Sequence, residues 1–193
     1  MSSASKRSTR KALFLDRDGV INVNHGYVSK PEDCDFVPGI FDLCAAAQAK
    51  NYTIIIVTNQ SGIARDYYDR TQFIRFSKWI ESQFSSAGAR IAHTFHCPHH
   101  PKISGPCTCR KPKPGMVIKA ARQFQVRLND SIMVGDSWSD IQCAQQANVG
   151  KAVLFKDPQH DTNQAKSFLP DVHLERSGRY YKARSLSSIS RLL

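Results

Sequence analysis

Four aspartates stand in pairs, each pair just after an apolar run. Asp16 and Asp18 follow the run at 12–15 and are two residues apart, so both carboxylates project from one strand end. Asp136 and Asp140 are four residues apart, as on the first turn of a helix. Like charges this close repel one another and raise pKa values unless a cation neutralises them. Oxygen-rich acidic sites suit Mg²⁺, which uses one or two carboxylates together with a substrate phosphate.

The same residue types are suited to phosphoryl transfer. Asp16 would attack phosphorus as a nucleophile and form an aspartyl-phosphate. Asp18 would protonate the leaving alkoxide and then deprotonate the water of the second step. Thr58 and Asn59 can donate hydrogen bonds to phosphoryl oxygens, and Lys111 supplies positive charge. The alternative is that the aspartates only cap turns, but the ordered set of polar clusters along the chain argues against it.

Apolar runs and helical periodicities alternate along the chain and predict the elements that position these residues. Strands are expected over 11–15, 52–57, 91–95, 131–134 and 152–155, and helices over 40–50, 71–87, 115–124 and 140–147. A last strand over 171–174 and a short helix over 186–193 follow a surface loop at 157–170. The alternation predicts an α/β, Rossmann-like parallel sheet with helices on both faces. In such folds ligands bind at the carboxyl ends of the strands, so the polar clusters should converge there.

Length and composition fit a single folded domain. The chain has 193 residues, of which 41% are hydrophobic, and we expect one domain over 11–193 after a disordered basic tail at 1–10. No apolar run approaches the roughly 20 residues needed to cross a bilayer. The start lacks the apolar core of a secretory signal, and a transit peptide is the weaker option. We therefore expect a cytoplasmic protein, a monomer, with no membrane association.

A strong positive charge raises the question of an anionic partner. Lys and Arg number 27 against 16 Asp and Glu, for a net charge of +11. Nucleic acid is the partner to consider first. However, the sequence lacks the interleaved aromatic and basic residues typical of single-strand binding. We expect a solvated basic surface, a small phosphorylated substrate and no nucleic-acid partner.

A second metal site is predicted in a loop rich in Pro, Cys and His at 96–110. Three cysteines lie within thirteen residues: Cys97, Cys107 and Cys109. Three histidines compete for the fourth position: His96, His99 and His100. Three thiolates and one imidazole make a closed tetrahedral Zn²⁺ site, which has a structural role because no position stays open for catalysis. The alternative is a loop of free thiols.

The ordered motifs resemble those of the haloacid dehalogenase (HAD) superfamily of phosphotransferases. The resemblance runs over about residues 11–155 and rests on the segment Asp16–Ile21, the pair Thr58-Asn59, Lys111 and the segment Gly135–Asp140. It implies a Mg²⁺-dependent phosphatase that acts through an aspartyl-phosphate on Asp16. The magnesium ligands that it implies are Asp16, Asp18 through its backbone carbonyl, and Asp136.

Longer stretches are similar to the D-glycero-D-manno-heptose 1,7-bisphosphate phosphatase family. They are Phe14–Asn22, His25–Tyr27, Thr58–Arg65, Cys97–Pro101 and Cys109–Met116. Members of this family lack a large cap domain. The resemblance implies removal of the C7 phosphate of a heptose bisphosphate, whose product feeds nucleotide-activated heptose and lipopolysaccharide-core precursors.

The family resemblance also implies roles for individual residues. It selects His99 as the fourth zinc ligand beside Cys97, Cys107 and Cys109. The implied substrate contacts are Asn24, His25, Gly26, Tyr27, Thr58, Asn59, Gln60, Ser61, Arg65, Arg110 and Lys111.

Two departures and three alternatives qualify this interpretation. Ser137 and Asp66 stand where family members often carry Lys and Gly, which leaves the exact sugar and its anomer open. Histidinol-phosphate phosphatase shares the four motifs and the zinc loop and is the first alternative. A polynucleotide 3′-phosphatase would suit the charge of +11. A non-enzymatic zinc-stabilised binding module is disfavoured by the intact acidic residues.

Overall fold

A seven-stranded sheet lies at the centre of the computed structural model, which describes residues 10–157 and 174–193. The strands are β1 (Lys11–Leu15), β2 (Tyr52–Asn59), β3 (Ile91–Cys97), β4 (Ile132–Gly135), β5 (Lys151–Phe155), β6 (Leu174–Ser177) and β7 (Tyr180–Ala183). The α-helices are α1 (Ile40–Ala49), α2 (Arg70–Ser86), α3 (Gly115–Phe124), α4 (Trp138–Gln146) and α5 (Leu186–Ile189).

The sheet is parallel except at one edge. Its order is β3-β2-β1-β4-β5-β7-β6, and β6 pairs with β7 in the antiparallel sense. Side chains of the inner strands alternate between two apolar cores: Leu13 and Leu15 face one, and Ala12 and Phe14 face the other. Helices α1, α2 and α5 cover the first core, while α3 and α4 cover the second. The predicted α/β fold with helices on both faces is confirmed.

The topology brings three polar chain segments to one edge of the sheet. Strand β1 pairs in parallel with β2 on one side and with β4 on the other, so the carboxyl ends of these three strands lie next to one another. Asp16 follows β1 and its backbone N–H donates to the carbonyl of Val134, 2.9 Å away, which extends the pairing by one residue. Asn59 ends β2 and Gly135 ends β4. This carboxyl edge is where an open α/β sheet binds its ligands.

The observed elements extend the predicted ones at several ends. Strands β2 and β3 each run two residues further than expected, to Asn59 and Cys97. The sequence predicted one late strand at 171–174, whereas the structure has the hairpin of β6 and β7 joined at Gly178, which has φ +61°. The predicted tail at 1–10 and the predicted loop at 157–170 fall outside the described residues except at Arg10 and Asp157. Arg10 pairs with Val126 in an isolated parallel bridge, so the disordered tail was predicted one residue too long at this end. None of the helices in the described residues has the length and apolarity to span a membrane.

Candidate active site

Asp16 and Lys111 form a buried ion pair at the carboxyl edge of the sheet. Lys111 Nζ lies 2.8 Å from Oδ2 of Asp16, and only 1% of the lysine side chain is exposed. The other oxygen of Asp16 accepts the backbone N–H of Arg17 at 2.6 Å. Burial raises the pKa of Asp16, and Asp140 and Asp136 raise it further, while Lys111 opposes the shift. A cation bound nearby would favour the ionised form of this carboxyl.

Asn59 fixes the backbone of Lys111 through two reciprocal hydrogen bonds. Its Oδ1 accepts the N–H of Lys111 at 3.0 Å, and its Nδ2 donates to the carbonyl of Lys111 at 3.1 Å. The lysine ammonium also donates to the carbonyl of Val57 at 2.8 Å. The end of β2 thus holds both the backbone and the charged tip of a residue that stands more than fifty positions later in the chain.

Asp140 is a further partner of Lys111 that the predicted site did not include. Its Oδ1 lies 2.6 Å from Lys111 Nζ, and the residue is fully buried. Its Oδ2 accepts from the hydroxyl and the N–H of Ser137, which closes a capping box at the start of α4. Burial opposes the charge of Lys111, yet Asp16 and Asp140 raise its pKa above the ordinary value. The spacing of Asp136 and Asp140 was the sequence signal for this residue.

The carboxylates meet the requirements of a hard divalent cation. One oxygen each from Asp16, Asp136 and Asp140 lie within 4.8 Å of one another. Asp140 is fully buried against Lys111 and Ser137, whereas Asp16 and Asp136 border the open cavity, so these two carboxylates could hold Mg²⁺. Burial raises the pKa of Asp136 to about 6, and Asp140 adds to the shift. Such unfavourable burial of carboxyl groups fits a site completed by a cation.

Gly19 leaves the room that Asp136 occupies. Its φ is +86°, and a Cβ at this position would lie 2.2 Å from Oδ2 of Asp136. A side chain at residue 19 would therefore be strained in its backbone and would also push the carboxylate aside. The glycine that follows Asp18 thus has a steric role in the acidic cluster.

Asp18 is held by a buried guanidinium rather than turned freely towards solvent. Arg17, 1% exposed, contacts Oδ1 of Asp18 through Nε at 3.1 Å and Nη2 at 2.9 Å, and Nη2 also lies 2.9 Å from Oδ2. Asn22 donates to Oδ1 at 3.2 Å, and Gln60 donates to Oδ2 at 3.0 Å. These donors fix the orientation of the Asp18 carboxylate, which borders the same cavity as Asp16.

A cavity of about 310 Å³ opens above these groups. Most of the residues predicted for the active site border it. The lining residues are Asp16, Asp18, Asn24, Gly26, Tyr27, Asn59, Gln60, Ser61, Tyr68, Lys111, Asp136, Ser137 and Ser139. A polar cavity of this size suits a small ligand. Tyr68, Ser137 and Ser139 were not among the predicted site residues; Tyr68 lies in a turn without a distinctive motif, whereas the two serines lie within the motif Gly135–Asp140.

Four of the expected substrate contacts lie outside this lining. His25 pairs with Asp35 at 2.8 Å in an exposed position. Thr58 is 1% exposed and its hydroxyl accepts from the amide of Gln60. The other two, Arg65 and Arg110, donate hydrogen bonds to histidines of the predicted zinc loop at 96–110, to which Arg110 itself belongs.

The two arginines have partners in that loop. Arg65 Nη2 donates to His100 Nε2 at 2.8 Å, and Arg110 Nη1 donates to the carbonyl of His99 at 3.2 Å. Nε of Arg65 is buried and has no hydrogen-bond partner among residues 10–157 and 174–193.

The four expected zinc ligands come together in the loop after β3. Sγ of Cys97 lies 3.1 Å from Sγ of Cys109 and 3.7 Å from Sγ of Cys107, and Nδ1 of His99 lies 3.3 Å from Sγ of Cys109. Bonds of about 2.3 Å to a tetrahedral Zn²⁺ would set ligand atoms roughly 3.8 Å apart. The donor set therefore fits zinc, and the separations of these ligand atoms are at or somewhat below the spacing that a bound ion would set. The rival imidazoles lie elsewhere.

Each rival histidine has another partner. His96 packs against the ring of Phe73, with 4.3 Å between ring centroids, and His100 contacts Arg65. The thiol cluster is tied to the acidic site from one side by the backbone N–H of Gln60, which donates to the carbonyl of Cys97 at 2.7 Å. On the other side, Lys111 follows Cys109 after one residue.

Comparisons with known proteins identify the relatives of this chain. The HAD-hydrolase-like family model matches residues 108–174. D-glycero-α-D-manno-heptose-1,7-bisphosphate 7-phosphatase of Campylobacter jejuni is 42% identical over 82% of this chain and 90% of its own length. The β-anomer enzyme of Helicobacter pylori is 40% identical over 86% of this chain and 98% of its own.

Solved structures show the same relationship. D,D-heptose 1,7-bisphosphate phosphatase of B. bronchiseptica, complexed with magnesium and phosphate, is 30% identical and superposes with a TM-score of 0.79 over 94% of this chain and 97% of its own. An HAD-like phosphatase from Mesorhizobium loti is 27% identical with a TM-score of 0.79 over 100% of this chain and 88% of its own. The chain therefore belongs to the heptose 1,7-bisphosphate 7-phosphatase family, a group of phosphoric monoester hydrolases within the HAD hydrolases.

Proposed function

We propose that this protein hydrolyses the C7 phosphate of D-glycero-D-manno-heptose 1,7-bisphosphate through an aspartyl-phosphate on Asp16. The observation that carries the proposal is the buried pair of Asp16 and Lys111 at the floor of a polar cavity, with Asp18 beside it. The names of relatives that are about 40% identical over most of the chain support the choice of sugar.

In the first step, Asp16 forms a bond to the phosphorus at C7 while the bond from phosphorus to the C7 oxygen breaks. The proton of Asp18 goes to that oxygen, so the sugar leaves as an alcohol. Lys111 lies 2.8 Å from Asp16 and offsets negative charge on the transferring phosphoryl group. Asn59 keeps the lysine in place throughout.

In the second step, Asp18 accepts a proton from water as the water attacks phosphorus. The bond between phosphorus and Asp16 breaks, inorganic phosphate leaves and the free carboxylate returns. Asp18 therefore acts once as an acid and once as a base, which requires a fixed carboxylate within reach of both the leaving oxygen and the water.

Mg²⁺ would be held by the carboxylates of Asp16 and Asp136 and by the backbone carbonyl of Asp18. When bound, it supplies positive charge that offsets the repulsion between the attacking carboxylate and the phosphate dianion. Gly19 leaves room for Asp136 in this set.

Zn²⁺ would be held by Cys97, His99, Cys107 and Cys109, with a structural role. We place the reaction in the cytoplasm, in the synthesis of nucleotide-activated heptose for lipopolysaccharide-core precursors, by a single-domain monomer. None of the six cysteines, all of which lie in the described residues, forms a disulfide, which supports a reducing compartment.

Phosphate release from a panel of substrates tests the proposal. The panel holds the α and β anomers of the heptose bisphosphate, histidinol phosphate and a 3′-phosphorylated oligonucleotide, each with and without Mg²⁺. We expect one heptose anomer to have the highest kcat/KM, and Asp16→Asn to remove turnover while the protein stays folded. A higher kcat/KM for histidinol phosphate or for the oligonucleotide would show that the corresponding alternative function is the right one. Full turnover by Asp16→Asn would show that Asp16 is not the nucleophile.

A further inference from the structure

The side chain of Gln60 is fully committed to three neighbours inside the protein. Its Nε2 donates to Oδ2 of Asp18 at 3.0 Å and to Oγ1 of Thr58 at 2.8 Å. Its Oε1 accepts the phenolic O–H of Tyr68 at 2.6 Å. Gln60 borders the cavity but is only 1% exposed. Both amide hydrogens and the amide oxygen are thus occupied, which leaves the group little capacity to bind a sugar.

Tyr68 decides which way the amide of Gln60 faces. The tyrosine is 5% exposed, and burial raises its pKa to about 12, so the hydroxyl keeps its proton and donates. If the amide were reversed, its oxygen would face the carboxylate of Asp18, and two acceptors would meet with no hydrogen between them. The hydrogen bond from Tyr68 therefore favours the orientation in which Nε2 faces Asp18.

The position of Tyr68 is itself fixed by the turn before α2. Asp69 follows it directly and caps the helix, with Oδ1 accepting the N–H of Gln72 at 2.6 Å. The ring lies against Gly62, where a Cβ would come within 2.4 Å of the ring. Neither the sequence motifs nor the family resemblance pointed to Tyr68.

We propose that Tyr68 and Gln60 form a positioning relay for Asp18, rather than contacts for the sugar. Gln60 fixes the Oδ2 side of the carboxylate that must protonate the leaving oxygen, while Arg17 and Asn22 fix the Oδ1 side. Tyr68 acts on Asp18 only through the amide of Gln60. The inference rests on the proposed role of Asp18 as the general acid, and it reassigns Gln60 from substrate binding.

The dependence on the leaving group separates this role from a general disturbance of the site. Tyr68→Phe should lower kcat/KM for the sugar phosphate about 10-fold, a part of the roughly 100- to 10,000-fold that a general acid contributes. The value for p-nitrophenyl phosphate should change by less than about 2-fold, because p-nitrophenolate departs without protonation. KM for the sugar phosphate should stay the same, since no contact to the substrate is lost.

The matched control is Tyr52→Phe. Tyr52 is also 5% exposed but lies at the opposite end of β2 from Gln60, and its substitution should leave both substrates unaffected. An equal fall for both substrates in Tyr68→Phe, no fall for either, or a raised KM at unchanged kcat would each overturn the relay.

A double-mutant cycle tests the connection between the two residues. Gln60→Met keeps the length of the side chain but removes its donors and acceptor. In that background Tyr68→Phe should add nothing further to the loss for the sugar phosphate, because the tyrosine acts through Gln60. Independent, additive losses would contradict the relay.

The sugar phosphate in these assays is the alkyl phosphate that the wild-type protein hydrolyses fastest. If that substrate is not the heptose bisphosphate, the proposed sugar is wrong while the relay is still tested. If Asp18→Asn keeps full turnover, the proposed general acid fails and the relay fails with it.

Discussion

The ammonium of Lys111 lies 2.6 Å from the carboxylate of Asp140, and both side chains are buried, with 1% and 0% exposure. The lysine thus has two acidic partners, Asp16 on the substrate side and Asp140 behind it. If the nucleophile becomes esterified to a phosphoryl group, Asp16 loses its negative charge. Asp140 then remains to hold the lysine ammonium in place.

Removal of the charge of Asp140 should therefore destabilise the protein. Asp140→Asn leaves a buried ammonium with one partner less, and breaking a buried pair costs about 3–5 kcal/mol of unfolding free energy. Urea unfolding measures this loss. The matched control is Asp130→Asn, whose partner Arg127 is 45% exposed, and such surface pairs contribute about 0–1 kcal/mol. Equal losses of unfolding free energy in the two variants would show that the buried pair stabilises the protein no more than the exposed pair does.

Gly19→Ala should remove Mg²⁺-dependent turnover. The new Cβ would meet the carboxylate of Asp136 at 2.2 Å, on top of the strain at φ +86°. Gly88→Ala separates the two effects, because Gly88 has φ +79° with nothing within 4 Å of its Cβ position. Both variants should lose about 1–2 kcal/mol of stability from the backbone, and only Gly19→Ala should lose activity. Full activity in Gly19→Ala would contradict the role given to Asp136.

Mg²⁺ should bind more weakly as the pH falls through about 6. Burial, then Asp140, raises the pKa of Asp136 to about 6 in the absence of metal, and only the ionised carboxylate binds the cation. Below that pH, protons compete, and the affinity should fall about tenfold per pH unit for one such group. The Mg²⁺-induced rise of the thermal midpoint, measured at about pH 5 and pH 7, tests this. Equal rises would contradict it.

In the metal-free protein, the raised pKa of Asp136 should instead favour the folded state at low pH. A carboxyl whose folded pKa lies above its ordinary value of 3.8 binds protons more tightly in the folded state. Stability of the metal-free protein should therefore gain from Asp136 at low pH and lose that gain as the pH rises from about 4 to about 6. Urea unfolding with Asp136→Asn as the control isolates this contribution.

Cys107→Ser should lose zinc and thermal stability together. The loop between β3 and α3 contains little apolar surface of its own, so metal binding supplies much of its folding energy. Metal analysis and the thermal midpoint should both change. Cys34→Ser is the control, because Cys34 lies outside the cluster. Unchanged zinc content and midpoint in Cys107→Ser would contradict a structural zinc site.

Much of the fold and the convergence of the acidic residues could be predicted from the sequence. The β-branched run after Tyr52 indicates a strand covered on both faces. Polar residues begin after Leu15, Val57 and Gly135, within two residues of the observed strand ends. Parallel strands bring those ends to one edge, so the meeting of Asp16 with the other acidic groups follows from topology alone.

The orientation of individual side chains could not be predicted in this way. The motif Thr58–Arg65 predicts that Gln60 contacts the substrate, whereas its amide forms hydrogen bonds with Asp18 and Tyr68. His25 pairs with Asp35, ten residues further on, through a loop that has no periodicity. The hairpin of β6 and β7 was also missed, because short, half-exposed strands lack the apolar alternation on which strand prediction depends.

The most direct test of the mechanism is to capture the phosphoryl group on the protein. Wild-type protein would be mixed with heptose bisphosphate carrying radioactive phosphorus at C7, quenched in acid within one turnover and digested to peptides. We expect an acid-stable label on Asp16 that forms before free phosphate appears and disappears as phosphate is released. Phosphate release with no label on the protein, or with the label on another residue, would contradict the central claim.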